Sequence, residues 1–447
     1  MKKTLLTNCN VVSNGMIEQQ DVYVVGDTIE KVGPSLQVPA DDHYDGAGRY
    51  LLPGVIDGQV HFRDPGLTHK GDLFTESKAA IAGGVTSIID MPNTVPNVLT
   101  LPIWKEKYDI AAQKCLTNFG FLLGIGQHNW KSWTDEDIAP MLALTDDGLY
   151  FSGKGKLLAQ FPEELGQLMT RFPHIPIALH CEDEALIEKN LEEQRALWNG
   201  NIPFSQHHLI RSTEACLLAT QSCIEVAKKT GGRLHVLHVT SGAEAKLFDA
   251  FLPFEQKRIT AEVCVQNLLF CSDDYARLGA RIKWNPSIKT AQDRDELWEA
   301  LLKDKIDIIT TDHAPHLWEE KEGGYEQAIS GAPMIQHSLN VMVDFYLEGR
   351  ISLEQIVQKM CHRPAQLYGL KDRGFIAEGM KADLVILDTA AQWTVGKENL
   401  LYQCGWSPLE GKTFRNQIKA TCVNGHWVYR DGQWCTELYG QPLRRES

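Results

Sequence analysis

Short apolar, β-branched runs alternate with helix-like segments through the middle of the chain. Eight runs read as strands: "LLPGVIDGQVHF" (51–62), "VTSIIDMP" (85–92), "NFGFLLGIG" (118–126), "GLYFSG" (148–153), "IPIALHC" (175–181), "RLHVLHVTS" (233–241), "RITAEVCV" (258–265) and "IDIITTDHAP" (306–315). Between them lie segments such as "STEACLLATQSCIEVAKKTGG", with Ser212 as an N-cap, helical apolar spacing and a glycine stop. Eight strands alternating with helices is the sequence form of an α/β fold, a parallel (β/α)8 TIM-like barrel. The ends of the chain read differently. "CNVVSNGMIEQQDVYVVGDTIEKVG" near the start, and "KADLVILD" and "KATCVNGHWVYRDGQW" near the end, show hairpin alternation with Asn-Gly and Gly-Asp turns. Neither stretch is long enough for a core of its own. The expectation is one small β-sandwich domain built from both termini, residues 1–52 plus 365–447, flanking a barrel of residues 53–364. No solenoid or propeller repeat is present.

Composition narrows the partners. A hydrophobic content of 43% and a charged content of 23% are those of a globular chain of 447 residues. The net charge of −14 argues against nucleic acid and anionic membrane, which need clustered basic surface. The N-terminus turns polar too soon for a signal peptide, and no apolar stretch approaches the roughly 20 residues that span a bilayer. The 11 cysteines are scattered with no C-x-x-C pair, which suits a reducing cytoplasm and small buried residues.

In such a barrel the site lies at the C-terminal strand ends. Reading only those ends gives His61, Asn93, Asp147, His180, His238, Asp312 and His316. A lone strand-end histidine is more often structural than a ligand; three histidines and an aspartate on four strand ends make a divalent-metal site, most simply zinc. His235, an odd spacing before His238, faces the other way and reads as structural. His69, His128, His207, His208, His337, His362 and His426 read as surface or loop residues. Asp312 suits a general acid/base that takes a proton from an attacking water and returns it to a leaving nitrogen. His316 suits a donor to substrate. Arg63 shares its side of the chain with His61 and, with Asn93, offers fork-like recognition of a carboxylate.

Taken together, "PGVIDGQVHFRDPGLTHKGD", "GGVTSIIDMPNT", "LHCEDE", "HVLHVTS", "AEVCVQNL", "KWNPSI", "TTDHAPH" and "GMKADLVILD" resemble the amidohydrolase superfamily and, within it, the dihydroorotases. The resemblance runs over nearly the whole chain. It implies reversible hydrolysis of (S)-dihydroorotate to N-carbamoyl-L-aspartate in pyrimidine biosynthesis. By position it implies His61, His180, His238 and Asp312 as metal ligands, with Asp312 also as the acid/base. It implies Arg63 and Asn93 on the substrate carboxylate, Asn285 and His316 as further contacts, and backbone groups of the loop Gly331-Ala332-Pro333, Ala332 among them, at the ring.

Two departures from the family pattern stand out. Gln59 stands where the family has a histidine, and a neutral amide oxygen is a poor zinc ligand beside imidazole. The family also has a residue bridging two metals, a carboxylated lysine or an aspartate. "LTDDGLYFSGKGKL" matches the aspartate version through Asp147, with no lysine where Leu149 or Tyr150 stands and with Lys154 and Lys156 too far along; aligned to the lysine version it leaves no bridge. One zinc or two is therefore open. Beside a working dihydroorotase, expected as a homodimer from the frequency of such assemblies, two other readings stand. One is a catalytically silent structural partner of an aspartate carbamoyltransferase; the other is a hydantoinase-like or allantoinase-like cyclic amidohydrolase.

Overall fold

Eight parallel strands follow one another around a closed barrel in the computed structural model, which describes residues 1–149, 157–437 and 439–445. They are β1 (Val55–Val60), β2 (Val85–Asp90), β3 (Asn118–Phe121, continuing in Leu123–Gly124), β4 (Leu144–Thr145), β5 (Pro176–Leu179), β6 (Arg233–Val236), β7 (Ile259–Cys264) and β8 (Ile308–Thr310). Each pairs in parallel with the next. A parallel bridge between Val60 and His313 closes the ring. Asp57 ties the same seam from inside, accepting from the Thr311 hydroxyl at 2.6 Å and the Thr311 N–H at 3.2 Å. The helix between β5 and β6 runs Thr213–Thr230; the Ser212 side chain accepts from Ala215 N–H, and Gly231 ends it with φ +69°.

Two readings of strands change. The run at 51–62 is not one strand. Tyr50–Pro53 joins the outer sheet and Val55–Val60 the barrel, crossing at Gly54, where a Cβ would lie 1.9 Å from the Thr86 hydroxyl. The fourth strand is Leu144–Thr145, which begins before the expected 148–153. Leu142, Ala143 and Leu144 fill the wall, and the chain turns at Asp147–Leu149 with Gly148 at φ +71°. Asp147 therefore follows the fourth strand rather than preceding it. The expected strand residues beyond Leu149, with Tyr150, Lys154 and Lys156, lie outside the described residues.

Both termini build the second layer. A nine-stranded sheet interleaves strands from Lys3–Ser13, Met16–Val25, Thr28–Gly33 and Tyr50–Pro53 with Leu384–Asp388, Gln417–Val423 and His426–Arg430. Asn14 and Gly15 both have positive φ, as a two-residue hairpin turn requires. This sheet has its own core around Leu6, Val22, Ile29, Leu51, Leu384 and Ile386. The helix Arg363–Tyr368 straddles the expected boundary at 364/365 and packs on the barrel, the Tyr368 hydroxyl donating to Gly58 O at 3.2 Å. Ten of the 11 cysteines are buried and none is disulfide-bonded. No helix among the described residues is long and apolar enough to cross a membrane.

The histidines read as surface or loop residues divide. His69 and His128 are exposed, but His207, His337 and His362 are buried. Apolar runs around them ("PMIQHSLNVMV", "IVQKMCHRPA") carry them inside, so hydrophilicity alone misplaces them. Burial depresses His337 to about 3, and burial with the nearby Arg363 charge depresses His362 to about 4, from the ordinary 6.5. Below pH 6.5 the unfolded chain binds protons that the folded chain refuses. The stability these neutral rings contribute is thus complete above pH 6.5 and lost as pH falls below it, at about 1.4 kcal/mol per pH unit per ring. Urea unfolding followed from pH 7 to pH 5 is expected to show this loss. His337→Gln is expected to flatten the slope by about one proton's worth, and an unchanged slope would refute the assignment.

Candidate active site

Three imidazoles and two carboxylates converge at the C-terminal mouth of the barrel. His61 directly follows β1 and His180 directly follows β5; His238 and Asp312 each lie two residues beyond β6 and β8. Arg63, His238 and Asp312 have φ of +66°, +35° and +44°, a region non-glycine residues rarely occupy. The strained turns swing these side chains across the barrel mouth, and such strain is held where surrounding packing over-determines it.

Asp147 sits at the centre, buried. Its Oδ1 lies 3.5 Å from His180 Nδ1 and 3.7 Å from His238 Nε2; its Oδ2 lies 3.5 Å from His61 Nε2. Burial alone would raise the carboxyl, but contact with His180 and His238 and the charge of His61 hold it well below the usual carboxylate range. Its neighbour Asp146 is spent on structure, accepting from the backbone N–H groups of His180 and Leu158. On the far side, His61 Nε2 meets Asp312 Oδ1 at 3.0 Å and its Nδ1 meets Asn93 Oδ1 at 2.8 Å. Burial opposes charge on His61, yet Asp312 and Asp147 raise its pKa.

Outer partners aim the rings. His180 Nε2 is held by Glu182 Oε2 at 2.7 Å, which turns Nδ1 toward Asp147. Glu182 also pairs with Arg211. Against burial, Asp147 and Glu182 raise His180 to about 10. His235, as expected, points away from Asp147, bonding Thr260 Oγ1 at 2.9 Å and Glu262 Oε2 at 3.0 Å. His313 is likewise structural, paired with Glu76 and accepting from Met334 N–H.

Asp147, His180 and His238 present donor atoms all within 4.8 Å of one another. Among the described residues, Asp147 Oδ2 and His238 Nδ1 are buried without hydrogen-bond partners. Two imidazoles and a carboxylate converging in this way fit a divalent metal. Gln59 does not join them. Its Oε1 accepts only a long contact from Cys264 Sγ at 3.8 Å, and its buried Nε2 has no partner.

Above these groups opens a cavity of about 290 Å³ lined by His61, Arg63, Lys70, Asn93, Asp147, Asn285, Asp312, His316 and Gly331, among others. Arg63 donates through Nε to Pro315 O at 3.2 Å, and its Nη2 meets His316 Nε2 at 3.1 Å. The buried Asn285 Oδ1 has no partner. Ala332 is not on the wall; it is fully buried, its carbonyl accepting from Ala314 N–H at 3.1 Å. Gly331, at φ +117°, lines the cavity instead, and a Cβ there would lie 2.8 Å from Ala314 O and 3.0 Å from His316 Cδ2. Lys70 and Glu320 went unassigned from sequence, although Lys70 lies in the motif stretch "GLTHKGD". Lys70 Nζ meets Glu320 Oε1 at 2.6 Å and His316 Nδ1 at 3.2 Å. Burial and the adjacent Arg63 charge, only partly offset by Glu320, keep the His316 pKa well below 6.5, so the ring is neutral.

The sequence is similar to known enzymes over most of its length. Residues 50–428 match the model of the amidohydrolase family. A dihydroorotase from Methanothermobacter thermautotrophicus is 30% identical over 89% of this chain and 88% of its own. An allantoinase from Deinococcus radiodurans is 30% identical over 96% and 95%. Among solved structures, the L-hydantoinase (dihydropyrimidinase) from Arthrobacter aurescens superposes with a TM-score of 0.90 at 27% identity, covering both chains completely. With that match spanning the barrel and much of the outer sheet, the chain belongs to the amidohydrolase family.

Proposed function

We infer that the chain is a dihydroorotase, opening the cyclic amide of (S)-dihydroorotate to N-carbamoyl-L-aspartate and closing it in reverse, as a step of pyrimidine biosynthesis. One observation carries the reading. One small cavity is lined by Asp147 and Asp312, with His180 and His238 set behind Asp147, and by the Arg63 guanidinium beside a neutral histidine. At about 290 Å³ it sits at the small end of ligand pockets, roughly 300–1,000 Å³, and suits one carboxylated ring. Relatives named dihydroorotase, such as those of Pediococcus pentosaceus and Aquifex aeolicus at 30% identity, support it.

His180, His238 and Asp147 would hold the metal, with zinc the choice for nitrogen and oxygen donors. When bound, it supplies Lewis acidity and lowers the pKa of water toward ~7. The protein's own groups do the rest. Asp312, fixed by His61 Nε2, takes the proton from the attacking water and returns it to the leaving ring nitrogen. Arg63 and His316 hold the substrate carboxylate, with Asn93 beside them on the same wall. Asn285 Oδ1, unpartnered and buried, accepts from a ring N–H. His61 and Asp312 would hold any second metal with Asp147, more weakly because Gln59 offers no ligand there. The cytoplasm and a homodimer complete the proposal.

Calorimetric titration of the metal-free protein with zinc is expected to show one tight site, with a second site weaker or missing. His238→Ala should weaken the tight site about 10-fold or more; equal affinity in the variant would remove this triad as the site. Purified, zinc-loaded protein should interconvert dihydroorotate and carbamoyl aspartate. Arg63→Met should lower kcat/KM by roughly 10²-fold or more, the scale of losing a charge-assisted hydrogen-bonded pair. No turnover in either direction would overturn the reading in favour of a silent partner. Turnover of hydantoin or allantoin indifferent to Arg63→Met would favour the hydantoinase or allantoinase alternative.

A further inference from the structure

His316 is approached by a cation at each ring nitrogen. Arg63 Nη2 faces Nε2 at 3.1 Å and Lys70 Nζ faces Nδ1 at 3.2 Å. A neutral imidazole has one N–H and one lone pair, so it accepts from only one of two such donors. Glu320 adds a competing pull. Its Oε2 lies 3.6 Å from Nδ1 and would draw a proton there, while its Oε1 is held by Lys70 at 2.6 Å. Lys70 is 8% exposed and lines the same cavity as Arg63 and His316. The ring cannot move away, because the backbone carbonyl of His316 accepts from Trp406 Nε1 at 2.8 Å and Gly331 packs against its Cδ2.

We propose that Lys70 selects the tautomer of His316: by donating to Nδ1 it leaves the proton on Nε2, so that His316 and Arg63 both point donors at a substrate carboxylate. With Nε2 protonated, the Arg63 contact sets donor against donor, and an anion lodged between them relieves it. The empty clamp is thereby set for a carboxylate. Without Lys70, Glu320 draws the proton to Nδ1, Nε2 turns its lone pair toward the site, and the carboxylate loses one of its two donors. Lys70 is therefore a positioning residue that confers preference for a carboxylated ring, and the inference rests on the dihydroorotase reading.

Steady-state kinetics of Lys70→Met and Lys70→Arg on dihydroorotate test it, with thermal midpoints recorded for both. Lys70→Met is expected to raise KM roughly 10- to 100-fold, the span of one lost hydrogen bond to a charged group, with kcat within about threefold. Lys70→Arg, which keeps a donor at that place, is expected to recover most of the KM. Should Lys70→Met fail to fold, the Arg variant decides: a KM near that of the parent supports the inference, and one raised as far as predicted for Met overturns it. A Lys70→Met KM within about twofold of the parent, or equal losses in kcat and KM without rescue by arginine, would overturn the inference while leaving the dihydroorotase reading intact. A parent protein that does not turn over dihydroorotate would overturn both.

Discussion

A charged carboxylate buried among three imidazoles is the constraint on which this site depends. Taking Asp147 out of water is costly, and the cost is met only if positive or polarisable groups surround it. His61, His180 and His238 come from three different strand ends to do so. The closed barrel sets those ends at one rim. The Asp57–Thr311 bonds and the Val60–His313 bridge keep the seam between the first and last strands from opening.

The cavity is polar in a directed sense. Its floor holds Asp147 and Asp312, acceptors suited to a metal and a transferred proton. Its wall holds Arg63 and Lys70, in a chain whose net charge is −14. Glu320 offsets Lys70 directly by an ion pair, while Asp312 and Asp90 act on Arg63 through their charge. A substrate with an anionic group at one end and a hydrolysable amide at the other matches this polarity. A neutral ring would bring no anion to the buried Arg63 guanidinium.

Much of this was legible in the chain and part was not, for physical reasons. The barrel follows from alternating β-branched runs and capped helices, and the ligands from polar residues that stop those runs. His61, His180 and Asp312 follow the apolar strands on the side that faces the barrel mouth. Asp147 was recognised, but the strand next to it was misplaced, because the "GLYF" run is more apolar and β-prone than "LALT" while Gly148 forces the turn. Lys70 and Glu320 were missed because their meaning lies in a contact across the cavity, which neither local spacing nor propensity encodes. Glu182 sat in view in "LHCEDE", yet its aim at His180 depends on the turn that follows β5. Of the loop Gly331-Ala332-Pro333, it is Gly331, at positive φ, that reaches the cavity beside His316, while Ala332 is buried behind it.

The proposal that Asp147 joins His180 and His238 in holding a metal is tested most directly by anomalous diffraction from crystals of the zinc-loaded protein. The account predicts a strong zinc peak coordinated by His180 Nδ1, His238 Nε2 and Asp147 Oδ1, with weaker or no density beside His61 and Asp312. Zinc bound at full occupancy elsewhere, with Asp147 uncoordinated, would contradict it.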